Sequence, residues 1–139
     1  MKIAMPALGP TLESPLAERL SRAPYILILN TGAGQMEVIE NSENLYLRED
    51  AGHRTARELC ANRIHYLLAK HVGPKAYQVL HEADIKVGIV ASDSCIEALN
   101  DFWDENFLPM HGAHAHPASK WGAWNPPVKI TTEHKGEKG

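Results

Sequence analysis

The sequence predicts a three-layer α/β fold, in which a mixed five-stranded sheet lies between helices on both faces. Two observations carry this prediction. Short apolar runs bounded by glycine and proline, the pattern of buried strands, occur at 25–29, 64–69 and 86–91. Apolar stripes at helical spacing separate the later runs. A chain of 139 residues accommodates one such domain and excludes two enzyme domains.

The first half of the chain predicts an isolated strand and a hairpin. Residues 2–6 form a short strand, with Pro6 near its end because proline lacks the N–H that a strand ladder needs. A loop rich in proline and small residues follows at 7–23. The nearly all-apolar segment 24–30, a turn with two glycines, and the alternating segment 35–40 then predict two antiparallel strands.

The second half predicts three helices and two further strands. Residues at helical spacing predict a first helix, which gives way to a strand at 64–69. Pro74 suits the first turn of a second helix, and a strand at 86–91 follows it. Ser94 with Glu97 has the pattern of a capping box and starts a third helix that ends near Asn106.

This order of elements restricts the topology of the sheet. If the fourth strand pairs beside the first, the strand order is 3-2-1-4-5 with the second strand antiparallel, which is the arrangement of ribonuclease-H-like domains. The segments 7–23, 41–53, 70–74 and 91–94 then gather at one edge. Open α/β sheets bind ligands at that edge, near the point where the strand order reverses.

The composition changes after residue 108, which predicts a domain at 1–108 and an appended tail at 109–139. The tail is rich in histidine, tryptophan and proline, and no helical or strand period runs through it. Apolar and polar residues alternate at 128–132, so this segment can form an edge strand of this molecule or of a neighbouring one.

Charge and composition exclude several classes of function. With 14 Lys+Arg against 17 Asp+Glu the net charge is −3, so we expect no nucleic-acid partner. The longest apolar stretch is far shorter than the ~20 residues of a membrane span, and no signal-peptide pattern occurs, so we expect a cytoplasmic protein. The first and fourth strands lack the carboxylates of a two-metal nuclease, and G-x-S-x-G is absent, so we expect no enzymatic activity.

Two predicted helix starts carry glycine and form a candidate anion site. A glycine there lets a ligand approach the free backbone N–H groups, which together with the helix dipole stabilise an anion. Basic side chains fall nearby in the same loops. The alternative is a set of solvated residues on ordinary helix-capping turns. The candidate residues are Arg19, Arg22, Gly52, His53, His71, Gly73 and Lys75.

Two further features are candidate metal ligands. His111, His114 and His116 form H-x-x-H-x-H, and three imidazoles so close in sequence can reach one zinc, copper or nickel ion. The alternative is a merely soluble histidine-rich tail. Cys95 falls in the first turn of the third helix, where the dipole lowers a thiol pKa. Its alternative is a first-turn residue half-buried against the sheet.

The chain resembles the nitrogenase iron–molybdenum cofactor biosynthesis family, which includes NifX and NafY accessory proteins, the C-terminal domain of NifB, and orange-protein relatives. The matching stretches cover about residues 1–107 and lie at 1–6, 21–28, 37–41 and 73–87. The resemblance implies a ribonuclease-H-like, non-catalytic domain that holds or carries a preformed metal–sulfur cluster of iron–molybdenum or molybdenum-containing type. Cofactor-assembly proteins are the partners that it implies.

The chain departs from the family pattern around the cluster site. Where some relatives use a loop histidine to hold the cluster, this chain has Arg19, and a usual glycine is His71. We therefore expect a shifted ligand set that uses His53 and His71. Two other functions stay open: a divalent copper, nickel or zinc binder or sensor acting through the histidine-rich tail, and an interaction module that docks the segment around Trp121 and Trp124.

Overall fold

A computed structural model describes residues 1–41, 51–111 and 114–115. The described chain contains three helices, a 3₁₀ turn, six strands of four or six residues and a seventh strand of two. The strands are β1 (Lys2–Ala7), β2 (Tyr25–Asn30), β3 (Gln35–Glu40), β4 (Tyr66–Ala69), β5 (Lys86–Ile89), β6 (Leu108–His111) and β7 (His114–Ala115). The helices are α1 (Ala51–Ala61), α2 (Pro74–Glu82) and α3 (Cys95–Trp103), and the 3₁₀ turn is Leu20–Arg22.

All the strands join one mixed sheet in the order β3-β2-β1-β4-β5-β6-β7. β1 pairs antiparallel with β2 and parallel with β4, and β4 pairs parallel with β5. The predicted order 3-2-1-4-5 is therefore confirmed for the first five strands. The parallel β1, β4 and β5 end at the same edge of the sheet, where the chain turns toward its helices.

The prediction of five strands is wrong, because β6 and β7 extend the sheet beyond β5. β6 runs antiparallel to β5 and places Pro109 opposite Gly88. A Cβ at Gly88 would lie 3.1 Å from the ring of Phe107, so the glycine lets this ring approach the sheet closely. Met110 is buried in the core. Pro109 interrupts the alternation of apolar and polar residues by which a strand is recognised in the sequence, so this short strand was not predicted. The sheet therefore continues past residue 108 into the predicted tail.

Helices cover both faces of the sheet, as predicted. α1 and α2 pack on one face against apolar residues that include Ile26, Leu67 and Val87. α3 packs on the other face against a second set that includes Met5 and Leu68. Because neighbouring residues of a strand point to opposite faces, the nearly all-apolar strands supply both layers. Within the described residues no helix is both long and apolar enough to cross a bilayer.

Candidate functional site

A cleft of about 430 Å³ opens where α1 and α2 begin, beside the 3₁₀ turn. Three loops of the sheet edge form its walls: the end of the β1–β2 connection, the start of α1, and the β4–α2 turn. The residues that line it are Arg19, Leu20, Ser21, Gly52, His53, His71, Gly73, Pro74, Lys75 and Ala76. The cleft therefore lies at the edge where the parallel strands end.

Close packing holds these walls together. The Leu20 amide donates to the His71 carbonyl oxygen at 3.2 Å, which ties the 3₁₀ turn to the β4–α2 turn. A Cβ at Gly52 would lie 3.5 Å from the Cβ atoms of both Ala76 and Ser21. The three walls thus meet around Gly52, while the buried Leu20 side chain anchors the 3₁₀ turn in the core.

The start of α2 presents free hydrogen-bond donors to the cleft. Gly73 is the N-cap residue, and no side chain caps this helix. Pro74 has no N–H, so the amides of Lys75 and Ala76 are first-turn donors that lack an intrahelical partner. Neither α1 nor α2 carries an acidic residue in its first turn. The uncapped dipole of α2 therefore leaves partial positive charge at this cleft.

The start of α3 differs, because the protein's own loop occupies it. The Cys95 amide donates to the Ser14 carbonyl oxygen at 3.0 Å, and the Ile96 amide donates to the Leu12 carbonyl oxygen at 2.8 Å. The side chain of Ser94 accepts a hydrogen bond from the amide of Glu97. The 91–94 turn therefore does not join the cleft, and the starts of α1 and α2 are the ones that face it.

The described lining of the cleft carries basic side chains and no carboxylate. Arg19, His71 and Lys75 are exposed at its rim, and His53 is half-buried. These groups and the amides of α2 can donate hydrogen bonds to an anion from several directions. The exposure of the rim means that added salt will weaken this attraction.

Six of the seven predicted anion-site residues line the cleft: Arg19, Gly52, His53, His71, Gly73 and Lys75. Arg22 is not among the lining residues and has an exposed side chain at the end of the 3₁₀ turn. The prediction did not include Ser21, which also lines the cleft. The signal for Ser21 was its place in the basic segment between Arg19 and Arg22.

The candidate metal ligands are not brought together in the described structure. No group of three or more His, Cys, Asp or Glu side chains suited to a metal ion occurs within the described ranges. His111 and His114 are register partners on β6 and β7. Their side chains, all of His116, and the segment around Trp121 and Trp124 lie outside the described residues.

Neither cysteine contributes to the cleft. Cys95, the first residue of α3, is fully buried, and burial raises the pKa of its thiol to about 11. This shift is opposite to the predicted one, because desolvation of the thiolate outweighs the helix dipole. Cys60 is half-buried, and burial likewise raises the pKa of its thiol.

Comparisons with known proteins agree with this architecture. A family model described as dinitrogenase iron-molybdenum cofactor matches residues 1–105. The apo form of the orange protein from Desulfovibrio gigas is 30% identical, with a TM-score of 0.76, and the match covers 81% of this chain and 95% of that chain. The comparison with curated proteins found no match.

Two further solved structures share the architecture. A Thermotoga protein described as a NifB protein of the DUF35 family is 29% identical, with a TM-score of 0.68 and coverage of 76% of this chain and 90% of that chain. A Methanocaldococcus jannaschii protein described as a dinitrogenase is 13% identical, with a TM-score of 0.58 and coverage of 81% and 96%. The last comparison shows the fold alone.

Proposed function

Because this chain belongs to the dinitrogenase iron-molybdenum cofactor family, we propose that it binds a preformed metal–sulfur cluster in the cleft and carries it during cofactor assembly. Membership relates the chain to iron–molybdenum cofactor biosynthesis or binding and to nitrogen fixation. The proposed cargo is an anionic cluster that contains iron and molybdenum, or molybdenum alone with sulfide. The proposed role is that of a non-catalytic, cytoplasmic carrier with a ribonuclease-H-like fold.

One observation carries this proposal: the uncapped start of α2, the start of α1 and four basic side chains converge on one cleft whose described lining has no carboxylate. A bulky anion gains from several donors at once, because each amide and each cationic side chain faces it without a competing negative charge. The described lining contains no cysteine. The proposed contacts are therefore hydrogen bonds to cluster sulfides, with His53 and His71 as the side chains able to bind metal.

The carrier role needs a partner that delivers the cluster and a partner that accepts it. The proposed partners are proteins of cofactor assembly, in keeping with the family. The exposed rim suits such a transfer, because a cluster held there stays accessible to a second protein. A cluster enclosed by a deep cysteine cage would leave more slowly, since metal–thiolate bonds would have to break first.

Anaerobic reconstitution tests the proposal directly. Protein purified without air is incubated with iron, sulfide and thiomolybdate, desalted, and analysed by visible spectroscopy and metal determination. We expect a coloured complex with metal at a fixed ratio to protein. A colourless, metal-free protein after desalting would contradict cluster binding.

Variants then locate the bound cluster. His71→Ala and Lys75→Gln should each lower the metal retained, because both remove donors from the rim. The matched controls are His81→Ala and Lys86→Gln, which change the same residue types at exposed positions outside the cleft. Equal retention by all four variants would place the bound metal elsewhere on the protein.

A second candidate function uses the histidine-rich tail. The observation that favours it is the register pairing of His111 with His114, which places two of the three histidines opposite each other on antiparallel strands. We propose that these residues and His116 bind a divalent copper, nickel or zinc ion. Calorimetric titration should show one site that disappears when all three are replaced by Asn. Substitution is preferable to truncation after Leu108, because truncation also removes the buried Met110.

A further inference from the structure

The outer edge of β3 is the second notable surface of the molecule. β3 lies at one end of the strand order, and no described strand pairs with its outer side. All six of its residues pair with β2 in an unbroken register, so the strand contains no bulge. It also lacks proline and lysine, the residues that protect many natural edge strands. The opposite edge is protected by its brevity, since β7 has two residues.

The face of β3 that lies on the α3 side carries uncovered apolar side chains. Met36 is 37% exposed and Val38 is 40% exposed. Their register partners on β2 are Leu29 and Leu27, which are buried in the core beneath α3. Among the described elements, α3 covers the central strands and none covers the end of this apolar face. A strand added beyond β3 would continue the apolar face and cover Met36 and Val38.

The charges of β3 decide which strand fits. The strand carries Glu37 and Glu40, both exposed, and no basic residue. Glu37 lies on the α1–α2 side of the sheet, because its register partner Ile28 belongs to the core on that side. A second copy of β3 would bring four carboxylates onto two adjacent strands, which is unfavourable. Glu40 lies on the α3 side with Met36 and Val38, at the end of the strand, because its register partner Tyr25 packs on that side. A strand with apolar and basic residues in alternation therefore matches Met36 and Val38 on one face and Glu37 on the other.

We propose that β3 binds an extended segment of a partner protein in which apolar and basic residues alternate. The segment pairs with the N–H and C=O groups along the outer side of β3, which no described strand uses, and extends the sheet by one strand. Its apolar side chains pack on Met36 and Val38, and its basic side chains face the carboxylate of Glu37. This surface lies at the opposite end of the strand order from β7 and uses none of the cleft residues.

A synthetic heptapeptide tests the proposal on the full chain. The probe is fluorescein-labelled Thr-Val-Lys-Ile-Lys-Val-Thr, and its binding is followed by fluorescence anisotropy. Two control peptides separate the contributions. Replacing the central Ile with Pro keeps the charge but breaks the strand, and replacing both Lys with Glu keeps the strand but reverses the charge. We expect each control to bind at least about tenfold more weakly.

Substitutions in the protein test the same contacts as the changes in the peptide. Glu37→Lys combined with Glu40→Lys should reverse the preference, so that the Glu peptide binds more tightly than the Lys peptide. Both positions are exposed, so the fold tolerates the change. The matched control reverses two exposed carboxylates elsewhere, Glu13 and Glu82, and should leave the preference unchanged.

Amide chemical shifts identify the bound surface. In ¹⁵N-labelled protein, the Lys peptide should shift the amides of residues 35–40 and leave those of the cleft unchanged. Shifts confined to other residues would overturn the proposal, as would equal affinity for the Pro peptide. Dimerisation at rising protein concentration that shifts the same amides of residues 35–40 would also overturn it, because the occupant of the edge would then be a second copy of the chain.

Discussion

Replacement of Gly73 by Asp should stabilise the fold and weaken cluster binding at the same time. Gly73 is the N-cap of α2, and no side chain caps the helix there. Its φ of −69° and ψ of 163° suit any residue. A Cβ added at this position would meet no atom within 4 Å. The aspartate side chain therefore enters the open cleft without strain and supplies the missing cap.

The gain in stability follows from two small contributions. An Asp N-cap is better than Gly by a few tenths of a kcal/mol, and a carboxylate at a helix start gains roughly 0.3–1 kcal/mol from the dipole. The free energy of unfolding should rise by about 0.5–1 kcal/mol. This corresponds to an increase in melting temperature of about 2–6 °C.

The loss of binding follows from the same carboxylate. It accepts hydrogen bonds from the first-turn amides that the cluster would otherwise use, and it repels the cluster. At about 5 Å and an effective dielectric constant between 40 and 80, two unit negative charges repel by about 1–2 kcal/mol. Cluster affinity should therefore fall about tenfold for each unit of negative charge on the cluster.

Thermal unfolding and spectrophotometric titration with thiomolybdate measure the two effects. Gly73→Asn is the control, because it caps the helix without adding charge, and its affinity should lie between those of the native protein and Gly73→Asp. Raising the salt concentration should narrow the difference in thiomolybdate affinity between Gly73→Asn and Gly73→Asp. A stabilised Gly73→Asp protein that binds thiomolybdate with native affinity would refute the assignment of the cluster to this cleft.

Three predictions concern the fold. Because the thiol pKa of Cys95 rises from its ordinary 9.0 to about 11, the unfolded chain loses this proton first as the pH rises. The free energy of unfolding should therefore fall by about 2 kcal/mol between pH 9 and 11 in guanidinium titrations, and it should fall less in Cys95→Ala. Leu80→Ala should lower the free energy of unfolding by about 2–5 kcal/mol, because Leu80 is fully buried between α2 and the sheet. A loss below about 1 kcal/mol would contradict that packing. Asn41→Ala should lower the free energy of unfolding by about 1–3 kcal/mol, because the buried side-chain amide of Asn41 donates to the Ala23 carbonyl oxygen at 2.8 Å. The control Asn100→Ala, at an exposed position, should change the free energy of unfolding little.

Local sequence pattern predicted most of the elements and most of the cleft. The apolar run of β2, the alternation of β3 and the helical stripe of α2 are readable because each element's own spacing reports which side is buried. Gly52 and Gly73 were identified because glycine at a helix start has a local physical meaning. The order of strands and helices then placed both glycines at the same edge of the sheet.

Contacts between distant segments decided the rest. Ser14 and Leu12 occupy the start of α3 through hydrogen bonds to residues more than eighty positions away in sequence. The burial of Cys95 depends on the sheet beneath it, and the close approach of the Phe107 ring to the sheet, just before β6, depends on the missing side chain of Gly88. These contacts cannot be predicted from any short stretch of neighbouring residues.

The sequence by itself determined the α/β class, the order of the first five strands and the basic glycine-containing turns that line the cleft. Within the described residues, the tertiary structure alone decided which helix start stays open, which edge of the sheet is uncovered, and that the sheet extends beyond β5. The physical reason is that periodicity records how one element faces the core. Open donors and uncovered edges depend on what the rest of the chain places against them.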